Sequence, residues 1–434
     1  MTVDDVRSDA RDWIAANWAL DITVREWWRR LAEAGLSMPT WPVPFGRGYR
    51  SAEARAVTEE LAAVGAIAPP QGALGMPLAA PTILEHGTDD QRARYLPPLL
   101  SGVEAWCQLF SEPGAGSDLA SLATRAVRAG EERGDEWIVN GQKVWNSSAN
   151  VAERGMLLAR TDPDVPKHEG ITFFLLDMDQ PGVEARPLRQ MSGEAHFCEV
   201  FLTDARVAGA DILGGLGDGW RVVRTTLGHE RAGFAGRGNP ALIHLPSGEK
   251  SGVLDRIVGD VVDEAKRPAR SERRFTGNAV PALALVDVAR ERGVDRDPHI
   301  RQRLAHYYTL TQLNRYTQLR IRAAAAAGRP IGPEGAITKL AMSRICHASR
   351  EVGFAILGAD AMLSGADAPY GGGLQVVGLS SFGTSIGGGT DEVQRNNLAE
   401  RVLGLPREPQ VDQGVPYRDL LVGTQRRAPD PAKG

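Results

Sequence analysis

The apolar periodicity of this chain changes twice along its length, and each change marks a boundary between fold types. In the first part apolar residues recur at helical spacing, as in VREWWRRLAEAGL, which places Trp27 and Leu31 on one face. From Trp106 to about Gly215 the pattern becomes short alternating or fully apolar runs bounded by Gly, Asp, Asn and Pro, which is typical of antiparallel strands. Helical spacing then returns. The order helices, strands, helices predicts an α+β multi-domain protein.

The same changes predict the domain boundaries. We predict a helical domain over residues 1–105, a β-domain over residues 106–215, a second helical domain over residues 216–410 and a tail over residues 411–434. The second helical domain contains two long alanine-rich helices, each followed by a glycine that ends it. Residues 237–275 between them and the β-domain are poorly patterned. The polar, Pro-containing tail is expected to be loose.

Composition and charge exclude several classes of protein. With 50 basic and 54 acidic side chains the net charge is −4, too close to neutral for electrostatic binding of nucleic acid. The three cysteines, Cys107, Cys198 and Cys346, are too few and too far apart for a disulfide framework or a zinc cluster, so no metal site is predicted. The N-terminus is too polar for a secretory signal peptide, and prolines interrupt the uncharged run from Ala62 to Leu84. A cytoplasmic protein without a membrane span is expected.

The segment WCQLFSEPGAGSDLASL, residues 106–122, has the composition of a ligand-binding loop. Its proline and glycines favour a tight turn, and Gly116 lacks the Cβ that would keep a ligand away from the backbone. Ser111 and Ser117 add hydroxyl groups beside backbone N–H groups, which suits an anionic or oxygen-rich ligand. An ordinary β-turn is the competing interpretation of this loop taken alone.

A second candidate is VNGQKVWNSSAN, residues 139–150. The Asn-Gly pair near its start is a hairpin-turn signal, after which a strand is expected to carry Trp145, Asn146 and Ser147 to one place. A tryptophan followed by small polar residues can stack on a flat heterocycle and hydrogen-bond to it. A buried core aromatic is the commoner role of such a tryptophan, and the residues alone leave both interpretations open.

A third candidate, SIGGGTDEVQRNNLAERVLGLPRE, spans residues 385–408. Gly387–Gly389 form a permissive loop and Thr390 is a suitable N-cap. Asp391 and Glu392 suit the first turn of the helix that follows. Backbone N–H groups at such a helix start can hold a phosphate or a carbonyl oxygen, although neither a dinucleotide fingerprint nor a P-loop occurs. A simple loop-to-helix cap is the alternative.

Taken in order, these motifs resemble the acyl-CoA dehydrogenase family. The matching segments are SEPGAGSDLA, DEWIVNGQKVW, LLARTD, GITFFLLDM, EVFLTDARV, GDGW, LGHERAG and GGGTDEVQRNNLAERVLGLP, in collinear order over roughly residues 10–408. The resemblance implies an N-terminal helical domain, a middle antiparallel β-barrel and a C-terminal four-helix bundle. Segments such as WPVPFGRG and GPEGAITKLAMS are most similar to bacterial members that degrade steroids and other unusual acids.

The resemblance also implies a reaction. Members of the family oxidise a CoA thioester between Cα and Cβ to the trans-2-enoyl-CoA. A carboxylate removes the Cα proton, and the Cβ hydride passes to N5 of FAD. An electron-transfer flavoprotein is the expected acceptor. The expected assembly is a homodimer, a homotetramer or an α2β2 heterotetramer.

Individual residues match family positions that contact FAD. By resemblance these are Gln108, Phe110, Ser111, Gly116, Ser117, Trp145, Asn146, Ser147, Thr390 and Glu392. Ser117 also matches a position that contacts the CoA chain. The family's Arg-x-x-Phe-Gly segment, which reaches the FAD of a neighbouring subunit, is not found in VARERGVDRDPHIRQ, where Arg290 is the candidate.

The catalytic base departs from the commonest family pattern. Many members carry it in a Tyr-Glu-Gly-Thr loop, whose glutamate position is occupied by Gly388. In isovaleryl-type and long-chain-type members the base comes from a helix, just before an arginine, and the match in LGHERAG is Glu230 followed by Arg231. The resemblance therefore implies Glu230 as the base, Arg231 in the substrate pocket, and Gly388 and Gly389 near the thioester carbonyl. A surface or ion-paired helix carboxylate is the alternative for Glu230.

Two other functions stay open at this point. An acyl-CoA oxidase, or another flavin oxidase of the same fold, would differ by the fast reaction of its reduced flavin with oxygen. A non-catalytic subunit of a heterotetramer would tend to lack the flavin motifs or the base, and this chain has both. Cys198 is interpreted as a packing residue rather than a nucleophile, because no base is evident near it.

Overall fold

The computed structural model describes most of the chain. The described residues are 2–130, 135–233, 239, 241–267, 275, 277–329, 332, 334–407, 409 and 412–421. They form twelve α-helices and eight β-strands in three successive regions, helical, β and helical, as the periodicity predicted.

Five helices form the N-terminal domain. They are α1 (Val3–Asn17), α2 (Val24–Glu33), α3 (Ser51–Ala63), α4 (Ala80–His86) and α5 (Asp89–Leu100). Threonine side chains cap the N-termini of α1, α2 and α5, which satisfies backbone N–H groups of their first turns. Trp27 and Leu31 of α2 are fully buried, as their spacing predicted. The indole N–H of Trp27 donates to the carbonyl of Ile67, so its polar atom is satisfied in the core.

The middle domain is an eight-stranded sheet. Its strands are β1 (Trp106–Leu109), β2 (Arg125–Arg128), β3 (Glu136–Ser147), β4 (Arg154–Arg160), β5 (Ile171–Asp177), β6 (Val183–Leu188), β7 (Phe197–Ala208) and β8 (Ile212–Leu213). The order across the sheet is β6-β7-β3-β2-β4-β5-β8, and β1 pairs with β4. Most pairs are antiparallel as expected, but β1 pairs with β4 in parallel, and Arg125 of β2 also pairs in parallel with Arg160 of β4. The parallel pairing of β1 with β4 is possible because β2 and β3 lie between these two strands in sequence and supply a long crossover.

The Asn140–Gly141 pair does not form the predicted hairpin turn. Strand β3 continues through it, and its register against β7 shifts between Val139 and Gly141. The glycine permits a close approach, because a Cβ at Gly141 would lie 2.3 Å from the hydroxyl oxygen of Thr124. The sequence signal therefore marks a β-bulge.

Seven helices follow the sheet. They are α6 (Gly219–Gly233), α7 (Val258–Lys266), α8 (Ala282–Glu291), α9 (Pro298–Ala326), α10 (Glu334–Leu357), α11 (Gly373–Ser380) and α12 (Asp391–Arg401). Helices α8 to α11 share one buried core, which includes Leu285, Tyr307 and Val352. Left-handed glycines follow the two long helices, Gly328 after α9 and Gly358 after α10, which confirms the predicted glycine stops. None of the described helices combines the length and the apolar character that a membrane crossing requires.

Residues 241–267, which are unpatterned in sequence, pack against the N-terminal domain. Leu254, Val258 and Val261 belong to the same buried cluster as Trp27. Helix α7 thus completes the core of the first domain although it follows the β-domain along the chain.

Residues 412–421 lie along the loop between β4 and β5. Pro416 forms an antiparallel bridge with Pro166, and the N–H of Tyr417 donates to the carbonyl of Val165 at 2.9 Å. The expectation of a loose tail is therefore wrong for this segment, because main-chain hydrogen bonds fix it to the β-domain.

Candidate active site

Two of the predicted ligand segments meet through hydrogen bonds. The side-chain amide of Asn146 donates to the carbonyl of Gln108 at 2.7 Å, and the N–H of Val144 donates to the carbonyl of Ser111 at 2.9 Å. Asn146 is only 1% exposed, and its side-chain oxygen has no hydrogen-bond partner among the described residues. A buried acceptor of this kind marks a position that a donor of a bound ligand or a water would satisfy.

A buried ion pair fixes the loop after β1 to strand β3. The Nζ of Lys143 lies 2.8 Å from Oε1 of Glu112, and the lysine side chain is fully buried. The same Nζ donates to the carbonyl of Phe110 at 3.1 Å. Glu112 also accepts the N–H groups of Ala123 and Thr124, at 2.6 and 2.9 Å. Burial opposes its ionisation, but these donors and Lys143 hold the pKa of Glu112 below its usual range.

Sequence reasoning assigned no role to this pair. Two features of the sequence could have indicated it. Lys143 lies among the apolar residues of a strand with one buried face, and Glu112 lies in the loop motif before that strand. Such a lysine needs an anionic partner in the interior.

Trp145 projects out of the sheet. Its side chain is 60% exposed, and its backbone φ is 62°, in the left-handed region that a tryptophan seldom occupies. The register of β3 against β7 shifts between Lys143 and Asn146, so a bulge turns this residue outward. Its ring touches Phe197 edge to face at a centroid distance of 5.8 Å. The interpretation of Trp145 as a core aromatic is therefore wrong, and strain of this kind is typical of functional positions.

Glu230 lies near the C-terminal end of α6, beside the first strand of the sheet. The side-chain amide of Gln108 reaches its Oε2 at 3.4 Å. Glu230 is half-buried. The structure thus brings the predicted base next to Gln108, whose backbone is held by Asn146. The side chain of Arg231 lies outside the described part of the chain.

The loop after β1 is exposed from Gly116 to Asp118, whereas Glu112 of the same loop is buried. Gly116 and Ser117 are exposed, and apart from Gly116 and its two chain neighbours no described residue has an atom within 4 Å of the position that a Cβ of Gly116 would take. Phe110 instead is buried and packs edge to face on Phe173 at 5.8 Å. The loop therefore leaves open space beside its glycine, whereas the ring of Phe110 is packed in the core and its carbonyl already accepts from Lys143.

The glycine loop before α12 forms a separate group. Gly388 and Gly389 have φ values of 67° and 82°, and the Thr390 hydroxyl accepts the N–H of Val393, as the predicted N-cap requires. The side-chain amide of Gln394 donates to the carbonyl of Gly388 at 2.9 Å. Within the described residues no hydrogen bond or ion pair joins this loop to Gln108, Trp145 or Asn146.

Two more predicted FAD contacts are exposed and paired locally. Glu392 lies 2.9 Å from Arg395 within the first turns of α12. Arg290 lies 3.2 Å from Asp287 at the end of α8. Their predicted contacts with FAD stay predictions.

Cys198 is fully buried, and its Sγ lies 3.4 Å from the side-chain oxygen of Asn150. Burial raises the pKa of this thiol, which is the opposite of what a nucleophile needs. Its interpretation as a packing residue agrees with this environment.

Comparison with known proteins defines the class of this three-domain arrangement. Family models of the N-terminal, middle and C-terminal domains of acyl-CoA dehydrogenases match residues 1–103, 107–205 and 276–403. The acyl-CoA dehydrogenase IpdE1 of Mycobacterium tuberculosis is 35% identical over 425 residues, which cover 94% of this chain and 98% of that protein. The chain therefore belongs to the acyl-CoA dehydrogenase family and is an enzyme of that class.

Two further relatives show how far the likeness extends. The acyl-CoA dehydrogenase FadE34 of Mycobacterium tuberculosis is 38% identical over 380 residues, which cover 87% of this chain but 46% of FadE34. This chain thus spans about half the length of that relative. The solved steroid ACAD Tcur3481-Tcur3483 has a TM-score of 0.67 and 26% identity, with 94% of this chain and 98% of that chain covered.

Proposed function

We propose that this enzyme oxidises an acyl-CoA thioester to the trans-2-enoyl-CoA with FAD, and that Glu230 removes the Cα proton. Membership of the family implies flavin-dependent acyl-CoA dehydrogenation. The observation that carries the assignment of the base is the 3.4 Å contact between Glu230 and Gln108. It places a half-buried carboxylate beside the strand that leads into the predicted flavin loop.

The residues of the site fit a flavin. The unpartnered buried oxygen of Asn146 needs a donor, and the exposed ring of Trp145 offers a flat surface for stacking. FAD, when bound, would supply the hydride acceptor. The residues proposed to hold it are Gln108, Phe110, Ser111, Gly116, Ser117, Trp145, Asn146, Ser147, Arg290, Thr390 and Glu392.

The protein itself would supply the proton acceptor and the substrate contacts. Exclusion of water by the substrate would disfavour the charged form of Glu230 and so make it a stronger base. Arg231 is proposed to shape the substrate pocket, and Ser117 to contact the CoA chain. Backbone N–H groups of Gly388 and Gly389 are proposed to bind the thioester carbonyl.

The substrate class that we propose is a bulky, polycyclic acyl group such as a steroid-derived CoA ester. The likeness to a steroid ACAD over nearly the whole chain supports this choice. Short branched and long straight acyl chains are the alternatives that a substrate panel would separate.

We also propose that the enzyme works as an oligomer and passes electrons to an electron-transfer flavoprotein. Leu313 and Tyr316 of α9 are 58% and 57% exposed, and Leu283 of α8 is 69% exposed. Large apolar side chains on a helical surface are typical of a subunit interface. A homodimer, a homotetramer and an α2β2 heterotetramer are all consistent with this surface, and a cytoplasmic location stays a prediction.

Anaerobic bleaching of the flavin absorbance by a panel of CoA thioesters tests the proposal. We expect one class of thioester to bleach the wild type, and Glu230→Gln to slow bleaching by about 100-fold or more. Glu33→Gln, which changes an exposed glutamate of α2, is the matched control and should bleach like the wild type. An FAD-loaded protein that no thioester bleaches would contradict the proposed reaction. Fast reoxidation of the reduced flavin by oxygen would favour the acyl-CoA oxidase alternative.

A further inference from the structure

The loop between β4 and β5, residues 161–170, is connected to the predicted ligand loop. The Nζ of Lys167 lies 3.0 Å from Oδ1 of Asp118, the residue that follows Ser117. The Lys167 side chain is only 13% exposed, so this ion pair is partly shielded from water. This ion pair therefore links the β4–β5 loop to the residue beside Ser117.

The same loop also contacts the helix that carries the proposed base. The imidazole of His168 meets the indole of Trp220 nearly edge to face, with ring centroids 4.6 Å apart. Trp220 lies in the first turn of α6, and Glu230 lies further along the same helix. One loop is thus packed against both parts of the site.

A buried arginine connects the ligand loop to the tail. Arg160 is 4% exposed and donates to the carbonyls of Ala120 and Leu122, at 2.6 and 3.2 Å. It also donates to the carbonyl of Lys167 at 3.1 Å. The ring of Tyr417 covers its guanidinium, with Cζ 3.4 Å from the ring centroid. Such a contact over a desolvated guanidinium is at the strong end for cation–π pairs.

The C-terminal strap, which we define as residues 412–421, adds charged contacts to this stack. Oδ2 of Asp412 lies 2.6 Å from the Nζ of Lys167, and Arg418 lies 2.8 Å from Asp164. Lys167 is therefore shared between the strap and the ligand loop. These contacts extend from Asp412 to Arg418, so the strap is attached to the β-domain at several points rather than one.

We propose that Tyr417 and Asp412 are positioning residues, which hold Arg160 and Lys167 and thereby fix the ligand loop around Ser117. The identity of the ligand rests on the proposed function, whereas the contacts do not. Because Ser117 is proposed to contact the CoA chain as well as FAD, loosening of the loop in the FAD-loaded protein should weaken substrate binding more than chemistry. The expected signature is a rise in KM with a small change in kcat.

The test compares Tyr417→Ala with Tyr417→Phe in the full-length, FAD-loaded protein. Hydrogen exchange is measured by mass spectrometry in peptides from residues 114–122 and 161–170, with a peptide of α3 as internal reference. For Tyr417→Ala we expect exchange in both peptides to be faster by about tenfold, and KM for the bleaching thioester to rise by about tenfold with kcat within about twofold. Tyr417→Phe keeps the ring over Arg160 and should behave like the wild type.

Unchanged exchange in residues 114–122 of Tyr417→Ala would overturn the proposal. If Tyr417→Ala does not fold, Asp412→Asn replaces it, and the same two peptides should then exchange faster by a smaller factor. Unchanged exchange in that variant would overturn the proposal as well. Hydrogen exchange needs no substrate, so it tests the role of the strap independently of the reaction. A wild-type protein that no thioester bleaches would contradict the proposed function alone.

Discussion

At the scale of single residues, the site depends on polar groups that only the folded structure brings together. Lys143 and Glu112 are 31 positions apart and form a buried ion pair. The pair fixes the loop after β1, because Glu112 also accepts backbone N–H groups of the following segment. The sequence motifs indicate the loop and the strand, but neither composition nor spacing shows which charged residue of the loop pairs with which charged residue of the strand.

Removal of one charge of this pair should be costly. Lys143→Met leaves the carboxylate of Glu112 buried without its cation, so we expect unfolding free energy to fall by about 3–5 kcal/mol. Urea unfolding measures the change. Lys266→Met, at an exposed lysine of α7, is the control and should stay close to the wild type. The double variant Lys143→Met with Glu112→Leu should recover part of the loss, and a fall below about 1 kcal/mol in the single variant would contradict the role of the pair.

The backbone of Trp145 gives a second prediction at this scale. Its φ of 62° strains any residue except glycine, so Trp145→Gly should be more stable than Trp145→Ala by roughly 1 kcal/mol in the protein without FAD. Thermal unfolding of the two variants measures the difference. Both variants should also bind FAD less tightly, because both lack the exposed ring. Equal stability would show that the left-handed conformation is not retained when the ring is removed.

At the scale of secondary-structure elements, features fixed by neighbouring residues could be predicted from the sequence, whereas features fixed by residues far away along the chain could not. The glycines after α9 and α10 act within their own turns, so the sequence alone locates the helix ends. The Asn140–Gly141 pair was misread, because its glycine serves contact with Thr124 rather than a turn. Helix α7 and the strap were missed for the same reason. Each is fixed by partners far away in sequence, Trp27 and the β4–β5 loop, and apolar periodicity contains no information about such partners.

The strap should respond to pH through its ion pairs. Lys167 holds the pKa of Asp412 below its ordinary value of 3.8, so Asp412 stabilises docking above that value and loses the effect as pH falls through the lowered pKa. Burial opposes ionisation of Lys167, but Asp412 and Asp118 outweigh it and raise the pKa of Lys167. Lys167 therefore stabilises docking until pH rises past that raised value. His168 faces the same charges, and burial keeps its pKa below 6.5. Its imidazole is therefore neutral over most of the pH range between the pKa values of Asp412 and Lys167.

We expect the strap to stay docked from about pH 4 to about pH 10 and to be released as pH falls through the lowered pKa of Asp412. Hydrogen exchange in residues 412–421, corrected for the intrinsic rate at each pH, measures the release. Asp412→Asn removes the carboxylate whose protonation is expected to release the strap. Backbone amides of the strap should therefore exchange faster than in the wild type at neutral pH, and their exchange should depend less on acid. An identical acid profile in Asp412→Asn would show that another group controls release.

At the scale of the whole molecule, the three-domain order followed from periodicity, whereas the assembly did not. Helix α9 has apolar residues on more than one face, since Tyr307 is buried while Leu313, Tyr316 and Leu319 are exposed. The buried face accounts for the bundle, and the exposed one has no counterpart within the described part of this chain. The oligomer interface proposed for α9 would account for the apolar character of these residues.

Charges on that face should disrupt the assembly. We expect Leu313→Lys with Tyr316→Lys to lower the native mass measured by sedimentation, because two buried charges without partners oppose association. Leu20→Lys, at an exposed apolar residue of the N-terminal domain, is the matched control and should leave the mass unchanged. An unchanged mass in the α9 variant would show that the subunit interface does not include this face of α9.

The central claim is that Glu230 removes the Cα proton of a CoA thioester. Its most direct test is the incorporation of solvent deuterium at Cα when the FAD-loaded enzyme is incubated anaerobically in D2O with a thioester that it binds but cannot oxidise. The account predicts steady incorporation by the wild type and by Glu33→Gln, and a rate at least about 100-fold lower for Glu230→Gln. Incorporation by Glu230→Gln at the wild-type rate would contradict it, because another group would then be removing the proton.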